Sequence, residues 1–110
     1  MIKAKIYYKN EKICGFEILG HAGYAKAGED IVCAAVSVLA LNTVNAIERF
    51  TPHPIQAEAD EKNGGNLKIQ IPVEGMADHD TQLLLRTLEM GLSEIQNEYT
   101  KYFTLIHKEV

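Results

Sequence analysis

The chain has 110 residues, of which 46% are hydrophobic and 24% are charged, a composition typical of one folded domain and unlike that of a disordered segment. We therefore treat residues 1–110 as a single domain. The formal net charge is -4 and the sequence has no Lys/Arg block, which disfavours direct binding to nucleic acid.

Two further patterns concern cellular location. The N-terminus alternates lysine with apolar residues and lacks the continuous apolar segment of a secretory signal. The longest apolar run, from Ile31 to Leu41, is too short to span a membrane. We therefore expect a cytoplasmic protein with no membrane partner, in which Cys14 and Cys33 are reduced.

The N-terminal residues predict a β-hairpin. Residues 2–8 alternate apolar and polar side chains, which is the period of a half-buried strand. After a polar turn, residues 13–19 form a second strand. Cys14, Phe16 and Ile18 share one face of that strand, so we expect Cys14 to pack in the core.

A long helix over residues 31–50 follows. Apolar residues recur at helical spacing along it, ending at Phe50, and they wrap much of its first half. We therefore expect this helix to be the most buried one. Pro52 and Pro54 end it, because proline cannot continue the helical hydrogen-bond ladder.

The C-terminal half predicts a second hairpin, a second helix and a last strand. The predicted strands are residues 55–60, 66–73 and 101–107. Asp78 or Asp80 caps the second helix, which runs to about Tyr99. The order β-β-α-β-β-α-β indicates an α+β domain, with two long helices packed on a mainly antiparallel sheet.

Two residues of the second helix need a reason. Gly91 costs roughly 1 kcal/mol relative to alanine inside a helix, which a close approach to the first helix would explain. His79 lies between Asp78 and Asp80, a pattern that could belong to a metal site. No further Cys/His spacing supports one, so helix capping is the favoured role and no metal is expected.

The segment with the clearest chemistry runs from Gly20 to Ser37. His21 follows the second strand, and with Asp30 as the N-cap, Cys33 falls in the first turn of the long helix. The unpaired N–H groups and the helix dipole there favour the thiolate, which is the reactive form of cysteine. Glu29 and Asp30 oppose this effect, so a histidine partner would matter. The alternatives are a buried, inert Cys33 and a histidine on a surface loop.

A loop of small residues joins His21 to the helix. It contains Gly23, Tyr24 and Gly28, and few of its side chains can anchor it. We expect this loop to close over bound substrate as a lid, and the alternative is an ordinary connector. Ser37 lies one turn after Cys33 on the same helix face, within reach of the thiol.

Two blocks, Gly20-His21-Ala22-Gly23-Tyr24 and Gly28-Glu29-Asp30-Ile31-Val32-Cys33-Ala34-Ala35-Val36-Ser37, closely resemble the signature of the ribosomal-processing cysteine protease family, Prp. The resemblance extends over the whole chain. It implies a small homodimeric bacterial protease that supports ribosome assembly. Its substrate would be the large-subunit ribosomal protein number twenty-seven, whose N-terminal extension is cut off after a pair of phenylalanines.

By position, the catalytic histidine of the family falls on His21 and the nucleophile on Cys33. Asp30 and Ser37 match further polar positions of the motif, as supporting residues. The resemblance implies no cofactor.

We therefore expect a cysteine endopeptidase with a Cys-His dyad. Cys33 would attack the scissile carbonyl, and His21 would take the thiol proton and return it to the leaving amine. The backbone N–H of Cys33 is a candidate oxyanion donor. Two alternatives remain: a non-catalytic ribosome-associated binding module, and another thiol-dependent hydrolase such as a thioesterase or deamidase.

Overall fold

A computed structural model describes residues 1–20, 29–60 and 66–110. Its elements are β1 (Ile2–Lys9), β2 (Lys12–Leu19), α1 (Glu29–Phe50), β3 (Gln56–Asp60), β4 (Asn66–Gln70), α2 (Val73–Met76), α3 (His79–Glu98) and β5 (Phe103–Glu109). The helix α2 is a single turn that begins at Val73, the last residue of the predicted strand 66–73, and that strand ends earlier, at Gln70. The long elements follow the predicted order, so the α+β class is confirmed.

The five strands form one mixed sheet in the order β3-β4-β2-β1-β5. All neighbouring strands are antiparallel except β1 and β5, which are parallel. Because β2 and β3 both run antiparallel to β4, they are parallel to each other, and α1 crosses between them. Helix α1 therefore begins at the end of the sheet where β2 ends.

The core lies between one face of the sheet and the helices. Its strand residues include Ile2, Ala4, Ile6, Phe16, Ile18 and Ile69. Helix α1 contributes Val32, Val36, Ala40, Val44 and Ile47. Phe50 was expected in this stripe, but it is 74% exposed. The helix extends almost a full turn past Ile47, its last core residue, so that prediction is wrong.

A β-bulge in the first hairpin changes the position of Cys14. Tyr7 pairs with Gly15 while Tyr8 pairs with Ile13, so Cys14 is the extra residue. The bulge shifts by one residue the alternation of inward and outward side chains along β2. Ile13 therefore lies in the core, at 2% exposure. Cys14 is instead half-buried and lines a surface depression with Tyr7. The prediction that Cys14 shares the core face of Phe16 is therefore wrong.

Helix α3 begins as one of the two predicted caps indicates. The Oδ2 atom of Asp78 accepts a hydrogen bond from the backbone N–H of Thr81 at 2.9 Å. His79 contacts the carboxylate of Asp80 at 3.1 Å. Within the described ranges, no group of three or more His, Cys, Asp or Glu side chains is placed to hold a metal ion. Asp78 is therefore the N-cap of α3.

Gly91 lies where α3 packs against α1. A Cβ atom built on Gly91 would lie 2.9 Å from Cδ1 of Leu39. The predicted reason for a glycine inside this helix is therefore confirmed.

Helix α1 is long and apolar enough to cross a membrane, from Asp30 to Phe50, when only length and composition are considered. This span exceeds the Ile31–Leu41 run because most of the polar residues that follow are uncharged. The same helix contributes Val32 and Val36 to the core. Core helices of folded domains pass this test as well, so it is weak evidence for a membrane span.

Candidate active site

The end of β2, the start of β4 and the start of α1 lie at the same end of the sheet. Gly20 follows β2, Asn66 begins β4, and α1 begins at Glu29. The crossover of α1 brings its first turns to this end of the sheet. The residue before His21 and the first turns of the helix that carries Cys33 therefore lie at the same end.

Helix α1 begins earlier than the capping pattern predicted. Glu29 is already helical, so Asp30 is the second helical residue and its side chain is exposed. Asp30 is therefore not the N-cap, and Cys33 falls in the second turn. In a helix that begins at Glu29, the Cys33 N–H has a carbonyl partner four residues back. This removes the basis for its expected oxyanion role.

Cys33 and Ser37 lie on one flank of α1. Both are half-buried and one turn apart, and Cys33 packs against the edge of the core. Leu39 lies on the opposite flank, where α1 contacts Gly91 of α3. The flank with Cys33 therefore faces away from α3.

Gly20 is held from both sides where the chain leaves β2. Its φ is +75°, and a Cβ atom built there would lie 2.9 Å from the carbonyl oxygen of Met1. Its N–H donates a hydrogen bond to Oδ1 of Asn66 at 3.1 Å. No sequence signal points to Asn66, because 46 residues separate it from Gly20 and no local motif links the two.

The remaining predicted site residues, His21, Gly23, Tyr24 and Gly28, lie outside the described residues. The Cys-His dyad and the lid therefore stay predictions.

The second thiol has a different environment. Cys14 lies on the face of the sheet away from α1, and burial raises the pKa of its thiol. A raised pKa lowers the thiolate fraction at neutral pH and with it the reactivity. Among the described residues, Cys14 and Cys33 are both thiols and no disulfide joins them. Cys14 is therefore a poor candidate nucleophile.

Comparison with known proteins places the chain among the cysteine proteases. The family model described as "Cysteine protease Prp" matches residues 1–104. The chain therefore belongs to the Prp family.

Relatives from Staphylococcus aureus resemble the chain along almost its whole length. The "Ribosomal processing cysteine protease Prp" of that organism is 34% identical over 109 residues, covering 98% of this chain and 100% of that protein. A crystal structure of Prp from S. aureus with a substrate peptide has a TM-score of 0.89 at 30% identity, covering 98% of this chain and 100% of that one.

A second S. aureus structure contains a covalently linked product peptide. Its TM-score is 0.85 at 32% identity, with coverage of 98% and 100%. These findings confirm the family resemblance and the fold.

Proposed function

We propose that this chain is a cysteine endopeptidase that processes a ribosomal protein. Family membership supports it, as does a relative described with a covalently linked product peptide. The observation that carries the proposal is that Gly20, which follows β2, and the first turns of α1 lie at the same end of the sheet. A thiol on that helix and a histidine directly after Gly20 are the two groups that a thiol protease needs.

In the proposed mechanism, the Cys33 sulfur attacks the scissile carbonyl carbon and forms a thioester. His21 takes the thiol proton and passes it to the leaving amine. Water, with His21 as base, then hydrolyses the thioester and restores the thiol. Asp30 would orient His21, and Ser37, one turn from Cys33, would position the thiol. No cofactor takes part.

The proposed substrate is the N-terminal extension of the large-subunit ribosomal protein number twenty-seven, cut after a Phe-Phe pair. The net charge of -4 favours a basic protein as partner over nucleic acid. We place the reaction in the cytoplasm, with no membrane partner.

Mass spectrometry of a basic peptide with a Phe-Phe-Ala junction tests this function. The peptide is incubated with wild type, Cys33→Ser, His21→Ala and the matched control Cys14→Ser. We expect cleavage after the second phenylalanine by wild type and by Cys14→Ser only. Cleavage by Cys33→Ser would overturn the assignment of the nucleophile. An intact peptide in every sample, with Cys33 inert to iodoacetamide, would favour a binding module.

We also propose a homodimer that forms through the outer face of α1. This face carries Ile31 at 63%, Val38 at 65% and Leu41 at 53% exposure, with Ala34 exposed between them. The spacing of three and four residues makes a continuous apolar seam on the side opposite the core. Exposed apolar patches of this kind mark interaction surfaces.

The charges at the two ends of α1 favour a second copy as the occupant. Asp30 lies in the first turn of α1 and Arg49 in its last turn, beyond the seam, and both side chains are exposed. In an antiparallel two-fold pairing, Asp30 lies near Arg49 of the partner subunit, and the contact occurs twice by symmetry.

A further inference from the structure

We infer that Asn66 is a positioning residue for His21 and acts through the backbone of Gly20. The inference rests on the proposed function, in which His21 serves Cys33. Its basis is the hydrogen bond from the Gly20 N–H to Oδ1 of Asn66, at 3.1 Å. Gly20 directly precedes His21 in the sequence, so this bond holds the chain at the base of the catalytic histidine.

The hydrogen bond between Gly20 and Asn66 lies just beyond the regular backbone pairing of β2 with β4. The pairing of β2 with β4 ends at Ile18 and Leu67. The Gly20 N–H lies two residues beyond that pair, and the side chain of Asn66, the first residue of β4, supplies its acceptor. Asn66 therefore extends the anchorage of β2 to the last described residue before His21.

Gly20 is also fixed from the opposite side. Its φ of +75° is a left-handed conformation, and the Met1 carbonyl leaves no room for a side chain. Met1 precedes β1, the other neighbour of β2 in the sheet. Contacts from β1 and β4 together define the direction in which the chain leaves the sheet toward His21.

That direction matters for catalysis. A general base must come within hydrogen-bond reach of the proton it abstracts, and small displacements of a catalytic group reduce the rate strongly. Without its acceptor, the Gly20 N–H no longer holds the base of His21 in one place. A smaller fraction of molecules then has the imidazole beside the thiol, which lowers kcat and leaves peptide binding unchanged.

The test compares two substitutions of an amide side chain by leucine on β4, one at Asn66 and a control at Gln70. Asn66→Leu removes the acceptor, Asn66→Asp retains an oxygen at the same position, and Gln70→Leu removes an exposed amide at the other end of β4. All variants are made in a Cys14→Ser background, so that Cys33 is the one thiol present. For each we measure kcat and KM on the Phe-Phe peptide, the Tm, and the pH dependence of Cys33 alkylation by iodoacetamide.

We expect Asn66→Leu to lower kcat about 3- to 10-fold, the range set by the loss of one hydrogen bond, with KM within about twofold. Its alkylation profile should shift in the direction that His21→Ala shifts it. Asn66→Asp should restore most of kcat, and Gln70→Leu should match its background. The Tm of Asn66→Leu should stay within a few degrees of its background, because the bond is exposed.

Three results would overturn the inference: an unchanged kcat and alkylation profile in Asn66→Leu, an equal loss in Gln70→Leu, or no recovery in Asn66→Asp. Failure of the proposed function has a different signature, which is no cleavage by wild type. In that case the alkylation profiles still decide the role of Asn66. If Asn66→Leu and His21→Ala shift the pH profile of Cys33 alkylation in the same direction, the positioning role of Asn66 is supported. If neither variant shifts the profile, that role is overturned.

Discussion

Gln82 of α3 is a buried polar residue that uses both ends of its amide. Its Nε2 donates to the carbonyl of Ile13 at 2.9 Å, and its Oε1 accepts from the Ile13 N–H at 2.9 Å. The side chain is 7% exposed, so water cannot replace these bonds freely. Gln82 thereby satisfies the backbone beside the bulge and ties α3 to the start of β2.

Gln82→Leu should lower the free energy of unfolding by about 2–4 kcal/mol, because it leaves two buried peptide groups without partners. Urea unfolding measures the effect. The matched control is Arg86→Leu, one turn further along α3 and exposed, which should change stability by less than about 0.5 kcal/mol. A loss in Gln82→Leu no larger than that of the control would contradict the prediction.

Asp78 gives the fold an acid-sensitive contact. Hydrogen bonds from the backbone N–H and then the hydroxyl of Thr81 hold the pKa of its carboxyl below the ordinary value. The unfolded chain therefore binds the proton more readily than the folded one. The stabilisation is complete above the unfolded pKa of about 4 and is lost as the pH falls through the lower, folded pKa.

Asp78→Asn keeps an acceptor oxygen and removes the titration. We expect the Tm of wild type to exceed that of Asp78→Asn at pH 6, and the difference to shrink below about pH 4. Thermal unfolding monitored by circular dichroism between pH 6 and pH 2 measures it. Asp80→Asn controls for the general effect of removing one negative charge. A difference in Tm that stays constant over this range would refute the linkage.

The two capping predictions show what local sequence rules achieve at the residue scale. For α3 the rule offered Asp78 or Asp80, and the N-cap is Asp78; for α1 it offered Asp30, and the helix begins two residues earlier than that cap predicts. Several short polar residues can cap a helix, so the rule locates the region of a helix start better than it locates the capping residue itself. For Cys33, that difference decides whether its backbone N–H has a partner within the helix.

At the scale of elements, α1 can pack closely on α3 because Gly91 has no side chain where Leu39 lies. Gly91→Ala should be close to neutral, since the gain in helix propensity of about 1 kcal/mol offsets a small shift of the flexible end of Leu39. Gly91→Leu should lower the free energy of unfolding by about 2–3 kcal/mol, because it forces the helices apart.

A double-mutant cycle separates this packing effect from helix propensity. Leu39→Ala empties the space that a leucine at position 91 would enter, so the pair Gly91→Leu with Leu39→Ala should recover at least half of the sum of the two single losses. Urea unfolding of the four proteins gives the coupling. Losses that simply add would show that the two helices do not meet at this point.

The order of the elements and the close approach at Gly91 could be predicted because both follow from local periodicity and propensity. The bulge at Cys14 could not, because it depends on how β1 and β2 pair: Tyr8 pairs with Ile13, so one residue of β2 is left over. A single extra residue moved the Cys14 thiol to the other face of the sheet.

At the scale of the whole molecule, the candidate site depends on topology that local sequence does not encode. The predictions for His21 and Cys33 come from two motif blocks that lie close together in the sequence. The link from Asn66 to Gly20 required knowing that β4, rather than β3, pairs with β2. Contacts that join distant segments are therefore where the structure adds most to the site.

The proposed dimer also belongs to this scale, because the outer face of α1 has no role in the core of one chain. Pairing two copies would remove the exposed side chains of Ile31, Val38 and Leu41 from water, which is the main source of free energy for association. Wild type should therefore have twice the mass of the 12.2 kDa chain in sedimentation velocity.

Val38→Asp should yield the single-chain mass, since it places two carboxylates against each other at the centre of the seam. The control Leu83→Asp, at a 51% exposed position on α3, should leave the dimer intact.

The charge pairing is tested separately. Arg49→Asp should weaken the dimer, and adding Asp30→Arg should restore it, because the exchanged charges again lie opposite each other in an antiparallel pair. A wild-type monomer, or a dimer that survives Val38→Asp, would rule out this interface. A double variant weaker than Arg49→Asp would instead exclude the antiparallel arrangement.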